Sequence, residues 1–107
     1  NFGVALVGEA EEWMVQAGVP AESARAALTE LAAGAVENVG RLGPVAALTG
    51  PIARGDRATV AAHLAQLSPS ERRLYSVLAA SALDLARERG LAEASVHDLA
   101  RLIGSAE

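Results

Sequence analysis

Apolar residues recur along the chain at the three- and four-residue spacing of amphipathic helices, and no stretch shows the alternation of a strand. The pattern predicts an all-α domain of about five helices, covering roughly 1–17, 21–40, 57–66, 69–89 and a short last helix after Ser95. The residues expected to face inward are, in chain order, Leu6, Ala10, Trp13, Met14 and Ala17; Ala24, Leu28, Leu31, Ala35 and Leu42; Val60, Leu64 and Leu67; Leu74, Leu78, Ala82 and Leu85; Val96, Leu99, Leu102 and Ile103.

Several helix ends carry their own signals. Residues 68–71, Ser-Pro-Ser-Glu, combine an N-cap serine, a proline at the first helical position and a glutamate two residues later, which is a capping box. Residues 95–98, Ser-Val-His-Asp, resemble such a start and predict that the last helix begins there. Gly18 and Gly90 suit the position just after a helix, where glycine is favoured.

The helical pattern stops at residues 47–56, which collect glycines, a proline, a hydroxyl, a guanidinium and a carboxylate. Pro51 lacks an N–H and pushes Gly50 towards an extended conformation, while Gly55 permits backbone geometries closed to other residues. We therefore expect a stiff, extended connection, called the elbow below. Asp56 at its end suits the N-cap of the next helix.

Two polar residues interrupt apolar helical stripes. Asn38 lies on or beside the stripe of the second predicted helix, where its carboxamide needs hydrogen-bond partners. It is either a satisfied structural residue or a ligand contact. His63 borders the inward face of the third predicted helix and allows the same two interpretations. The other histidine, His97, is far along the chain, and no second ligand lies at helical spacing from either histidine, so no metal site is expected.

Composition narrows the function classes. A chain of 107 residues is expected to form one domain, residues 1–107. It has no cysteine and a net charge of −4 without a basic block, so neither a disulfide framework nor nucleic-acid binding is expected. Its apolar runs are far shorter than the roughly 20 residues needed to cross a bilayer. We expect a cytoplasmic protein that has no membrane partner.

Residues 48–56, LTGPIARGD, followed by His63-Leu64, resemble the C-terminal helical domain of a family of predicted oxidoreductases. In that family a Rossmann-like dinucleotide-binding domain comes first, and a domain catalogued as of unknown function follows. The resemblance extends from Asn1 to about Gly90. The family is similar in turn to the C-terminal domains of 6-phosphogluconate dehydrogenase-like proteins, including pyrroline-5-carboxylate reductase, and this similarity implies a helical bundle of that type.

The resemblance implies a substrate-binding and dimerisation domain of an NAD(P)-dependent oxidoreductase. No Gly-x-Gly-x-x-Gly motif occurs in the chain, so the domain needs its own N-terminal Rossmann-like domain, holds no cofactor and is inactive alone. The start inside a helical pattern, without an initiator methionine, is expected of a fragment. No catalytic residue is assigned. The residues implied to contact a small-molecule substrate are Asn38, Thr49, Gly50, Pro51, Arg54, Asp56 and His63.

In this picture, Arg54 can hold an anionic substrate group, because a guanidinium matches a carboxylate in bidentate fashion. Thr49 and Asn38 can hydrogen-bond a substrate oxygen. The alternative is a purely structural dimerisation module in which the elbow only turns the chain. A homodimer is expected in both cases, since the core has little aromatic bulk and gains from a second apolar surface. Leu78 and Leu85 are the candidate interface residues.

Overall fold

The computed structural model describes residues 1–105, and all regular secondary structure in that range is helical, which confirms the all-α class. The five predicted helices are all present, and a further short helix lies within the elbow. The helices are α1 (Phe2–Gln16), α2 (Ala21–Ala47), α3 (Gly50–Arg54), α4 (Arg57–Gln66), α5 (Pro69–Arg89) and α6 (Glu93–Gly104). The chain divides into two compact units, Asn1–Arg41 and residues from Leu42 onward.

The first unit contains α1 and most of α2 and has almost no core of its own. Among residues 1–41, Ala24 alone is buried. The backbones of the two helices approach each other at few points. The predicted inward faces are therefore wrong at the exposed members of the two stripes, which are Leu6, Ala17, Leu31 and Ala35.

The second helix is interrupted by a kink close to its predicted end at about Gly40, and a short helical segment follows the kink. Gly43 has a non-helical backbone with φ 79° and ψ 163°, and Pro44 follows it. Proline tolerates the start of a helical segment, and the amide of Leu48 donates to the Pro44 carbonyl at 3.2 Å, so the helix resumes after the kink. Leu42, the last residue of the predicted stripe, is exposed beside this kink.

The second unit has a contiguous core supplied by four helices. Its buried apolar residues are Ile52 of α3; Val60 and Leu64 of α4; Ala79, Leu83 and Ala86 of α5; and Val96, Leu99 and Ile103 of α6. The predicted faces of the helices now named α4 and α6 are confirmed, with Leu67 and Leu102 half-buried at their edges.

The face of α5 that meets the core is not the predicted one. Buried α5 residues are Ser76, Ala79, Leu83 and Ala86, whereas Leu78 is exposed and Leu74, Ala82 and Leu85 are half-buried. Small side chains at three of the four buried positions let neighbouring helices approach closely, and the larger leucines lie beside the contact. Choosing the buried face by the most hydrophobic residues selects the leucines and misses a face made mainly of serine and alanine.

The start of α5 is confirmed, and the start of α6 is corrected. The Ser68 hydroxyl accepts from the Glu71 amide at 3.3 Å, and the Glu71 carboxylate accepts from the Ser68 amide at 2.7 Å. Helix α6 begins at Glu93, not at Ser95, since the amide of Val96 already donates to the carbonyl of Ala92 at 3.0 Å. Backbone bonding thus extends the helix by two residues beyond the expected cap.

Candidate functional site

The elbow is a short helix, not the extended segment that Pro51 suggested. Gly50 adopts φ 89°, Pro51 occupies the first turn of α3, and Ile52 is buried in the core of the second unit. Pro51 fits because the first residues of a helix need no amide partner. Burial of Ile52 requires the backbone to turn inward at this point, and this tertiary contact overrides the extended preference of the Gly-Pro pair.

The elbow ends in a left-handed glycine that redirects the chain. Gly55 has φ 70° and ψ 27°. Its amide donates to the Ile52 carbonyl at 3.2 Å, and the amide of Asp56 donates to the Pro51 carbonyl at 2.8 Å. This pair of bonds is a Schellman motif, in which glycine is favoured because it has no Cβ. Asp56 is therefore both the end of α3's capping motif and the residue that begins α4.

The carboxylate of Asp56 caps α4, as predicted. One oxygen accepts from the Thr59 amide at 3.1 Å and the other from the Thr59 hydroxyl at 2.7 Å. These two bonds, the hydroxyl bond first, hold the pKa of Asp56 below its usual range, and the charge of Arg54 acts in the same direction. A carboxylate engaged in this way caps the helix, and the role of Asp56 as a substrate contact stays a prediction.

Arg54 and Thr49 are the elbow residues whose polar groups face solvent. The nearest carboxylate oxygen of Asp56 is 3.7 Å from Nη2 of Arg54, and the Arg54 side chain is 63 % exposed. At that distance and exposure the ion pair is weak, so the guanidinium keeps its donors for another anion. Thr49 occupies the N-cap position of α3 without a capping bond from its hydroxyl, and it is exposed.

The entrance of the elbow is fixed by a contact that the sequence analysis missed. Nη1 of Arg89, near the end of α5, donates to the carbonyl of Leu48. Leu48 itself packs against the core. Leu48 and Arg89 are far apart in the sequence, so helical periodicity does not relate them. The sequence indicates this bond only through the arginines at the end of α5.

His63 is exposed on α4 and pairs with Tyr75 of α5. Nδ1 of His63 and the hydroxyl oxygen of Tyr75 are 3.0 Å apart, and the two rings meet edge to face with centroids 5.9 Å apart. Tyr75 is half-buried and packs against the core. Among the described residues, no hydrogen bond joins His63 to the elbow, so its role as a substrate contact stays a prediction.

Asn38 belongs to the first unit, whereas the other six predicted site residues belong to the second. Its side chain lies on α2, and its carbonyl oxygen accepts from Nη1 of Arg41 at 3.3 Å. That bond is long and involves an exposed arginine, so it contributes little. The carboxamide therefore has hydrogen-bonding capacity left for a ligand.

The first unit also contains an apolar groove of about 640 Å³ between α1 and α2. Its walls are small and branched side chains, namely Gly3, Val4, Val7 and Gly8 of α1 and Thr29, Ala32, Ala33 and Val36 of α2. Glu11 and Arg25 also line the groove and form a bidentate pair at 2.7 and 3.0 Å. The hydrogen bond to Arg25 lowers the pKa of Glu11, so the pair stays charged at neutral pH.

A smaller, polar depression of about 360 Å³ lies between α4 and the end of α6. Arg57, Asp98 and Arg101 line it, and none of the predicted site residues does. Within residues 1–105, no group of three or more histidine, aspartate or glutamate side chains is placed to hold a metal ion. In the same range no helix is both long and apolar enough to cross a membrane.

The chain belongs to a family of domains of unknown function. Its residues 1–82 match the family model described as Domain of unknown function (DUF2520). The match confirms that the chain contains a domain of unknown function, as its motif suggested. No curated protein and no solved structure matches the chain.

Proposed function

We propose that this chain is the C-terminal substrate-binding and dimerisation domain of an NAD(P)-dependent oxidoreductase and is inactive alone. The observation that carries the dimerisation part is the first unit, which exposes most of its large apolar side chains. Phe2 is 84 % exposed and Val36 is 71 % exposed, and Ala24 is the single buried residue among residues 1–41. Two helices with so little buried surface are marginal in water without a further apolar partner.

The composition of α1 supports a second copy as that partner. Its exposed apolar residues lie both beside the groove, as Val4 does, and on the opposite side, as Phe2 and Leu6 do. A helix that is apolar on several sides is normally covered on several sides. The glycines and alanines along the groove let a helix approach closely, and a two-fold arrangement covers the same surface on both copies.

The substrate-binding part rests on the elbow. Arg54 presents a largely exposed guanidinium beside a carboxylate that Thr59 already engages, and Thr49 presents an exposed hydroxyl. Such a pair suits a substrate with a carboxylate and a hydroxyl or carbonyl oxygen. The dinucleotide, which would supply or accept hydride, is assigned to a separate Rossmann-like domain, since this chain has no glycine-rich dinucleotide motif.

Sedimentation equilibrium tests the dimer. We expect the wild-type chain at micromolar concentration to have the mass of two chains, and Val36→Glu to have the mass of one. Val77→Glu is the matched control, because Val77 is 62 % exposed on α5 and is not one of the residues that line the groove. A wild-type mass of one chain would contradict dimerisation. Dissociation by Val77→Glu but not by Val36→Glu would place the interface on α5, beside the exposed Leu78.

Arg54→Ala in the full-length protein separates the enzyme domain from a purely structural dimerisation module. We expect a raised KM or lost turnover with unchanged helical content and melting temperature. Arg73→Ala, at another exposed arginine, is the control and should leave both activity and stability unchanged. Unchanged activity of the Arg54→Ala protein would favour the structural module. If the substitution unfolds the domain, Arg54 is a structural residue.

A further inference from the structure

The contact between His63 and Tyr75 joins an exposed histidine to a tyrosine whose ring packs against the core. The Tyr75 ring is held against the core of the second unit, whereas His63 is exposed on the neighbouring helix. With 3.0 Å between the hydroxyl oxygen and Nδ1, the tyrosine restrains one ring nitrogen of the histidine. The edge-to-face contact of the two rings restrains the imidazole plane as well.

The chemistry of the two groups decides which of them donates. Burial raises the pKa of Tyr75, so its hydroxyl keeps its proton at neutral pH. A phenol O–H is a good donor, and the unprotonated nitrogen of a neutral imidazole is a good acceptor. The reverse bond, from Nδ1–H to the phenol oxygen, joins a weaker donor to a weaker acceptor. The hydroxyl therefore donates to Nδ1 when His63 is neutral.

We infer that Tyr75 is a positioning residue, which holds neutral His63 in the tautomer that carries its proton on Nε2. The second nitrogen then presents an N–H to solvent, and this group recognises an oxygen acceptor such as the carboxylate or carbonyl of a small molecule. The ligand part rests on the proposed substrate-binding function. The tautomer part concerns the chain alone and holds with or without that function.

Long-range proton–nitrogen NMR correlation of the histidine rings tests the tautomer, at a pH where both histidines are neutral. We expect His63 to show a protonated Nε2 and an unprotonated Nδ1. His97 is an internal control, because it is exposed on α6 and is not the partner of Tyr75. Tyr75→Phe keeps the ring and removes the hydroxyl, so the His63 signals should move towards the tautomer mixture of His97, with the circular dichroism spectrum unchanged.

Two results would overturn the inference: a wild-type His63 that is protonated on Nδ1, or His63 signals that do not change in Tyr75→Phe. The ligand part is tested with acetate as the probe. We expect acetate to shift the Nε2–H signal of wild-type His63 more than sodium chloride at equal ionic strength does, and more than it shifts His97. Equal shifts at the two histidines would overturn the ligand part. Neither result depends on the activity of Arg54→Ala in the full-length protein, so failure of the proposed substrate-binding function is recognised separately.

Discussion

Gly55→Ala should be one of the most damaging single-methyl changes in the second unit. An L-residue in the left-handed region costs about 1–2 kcal/mol. A Cβ at this position would also lie 3.2 Å from Cδ1 of Leu91 and 3.2 Å from Cβ of Ser95. Carbon atoms prefer roughly 3.5–4.0 Å, and overpacking of this kind costs about 1–3 kcal/mol. We therefore expect Gly55→Ala to lower the free energy of unfolding by about 2–5 kcal/mol.

Urea denaturation followed by circular dichroism measures this change, at a fixed protein concentration so that association does not contribute. Ser95→Gly separates the steric part from the backbone part, because it removes two of the three close contacts, those with Cβ and Oγ of Ser95. In a double-mutant cycle we expect a favourable coupling of about 1 kcal/mol between the two substitutions.

Gly90→Ala is the control for that cycle. Gly90 has φ 109°, and a Cβ added there meets no atom within 4 Å, so this change reports backbone strain without a steric contact. Its effect should add to that of Ser95→Gly without coupling. If Gly55→Ala and Ser95→Gly also prove additive within roughly 0.5 kcal/mol, the close packing of the elbow against α6 is refuted.

Three further predictions concern residues of the second unit. Leu99→Ala, at a fully buried side chain, should cost about 2–5 kcal/mol in urea denaturation, and a loss below 1 kcal/mol would contradict its central place in the core. Ser76→Ala should leave the melting temperature unchanged or raise it, because the buried Ser76 hydroxyl has no hydrogen-bond partner among the described residues; a clear decrease would indicate a bond to a bound water. The folded-state pKa of Asp56 is lowered, so the stabilisation from its ionised cap is present above the ordinary carboxylate pKa of about 4 and is lost as the pH falls through the lowered value. Asp56→Asn keeps an acceptor that does not titrate, and the stability advantage of the wild type over it, measured by thermal melts, should vanish once the pH lies below the lowered pKa of Asp56; an advantage that does not change with pH would contradict the cap.

Sequence patterns predicted the local features of this fold well. The capping box at Ser68, the cap at Asp56 and the glycine end of α5 each depend on residues within one turn. The inward faces of α4 and α6 were also correct, since on these helices the largest apolar residues are the ones that meet the core.

The errors share a physical cause, which is packing against something outside the local window. On α5 the contact with neighbouring helices selects Ser76 and Ala79 over Leu78. On α1 and α2 the predicted stripes find too little partner surface within residues 1–41 to become buried. The bond from Arg89 joins α5 to Leu48 in the connection before α3, and the pairing of His63 with Tyr75 joins two helices. Periodicity within one helix therefore gives no sign of either contact.

The family match and the folding unit have different boundaries, and the elbow shows why this matters. The match ends at residue 82, within α5, yet five of the nine buried apolar residues of the core follow it, namely Leu83, Ala86, Val96, Leu99 and Ile103. Gly55 is enclosed by Leu91 and Ser95, and the elbow entrance is bonded to Arg89. The proposed substrate contacts therefore lie inside the matched region, while much of the structure that fixes their positions lies beyond it. The conformation of Arg54 and Thr49 consequently depends on residues 83–105, and a domain boundary drawn at residue 82 would remove the support of the elbow together with more than half of the core.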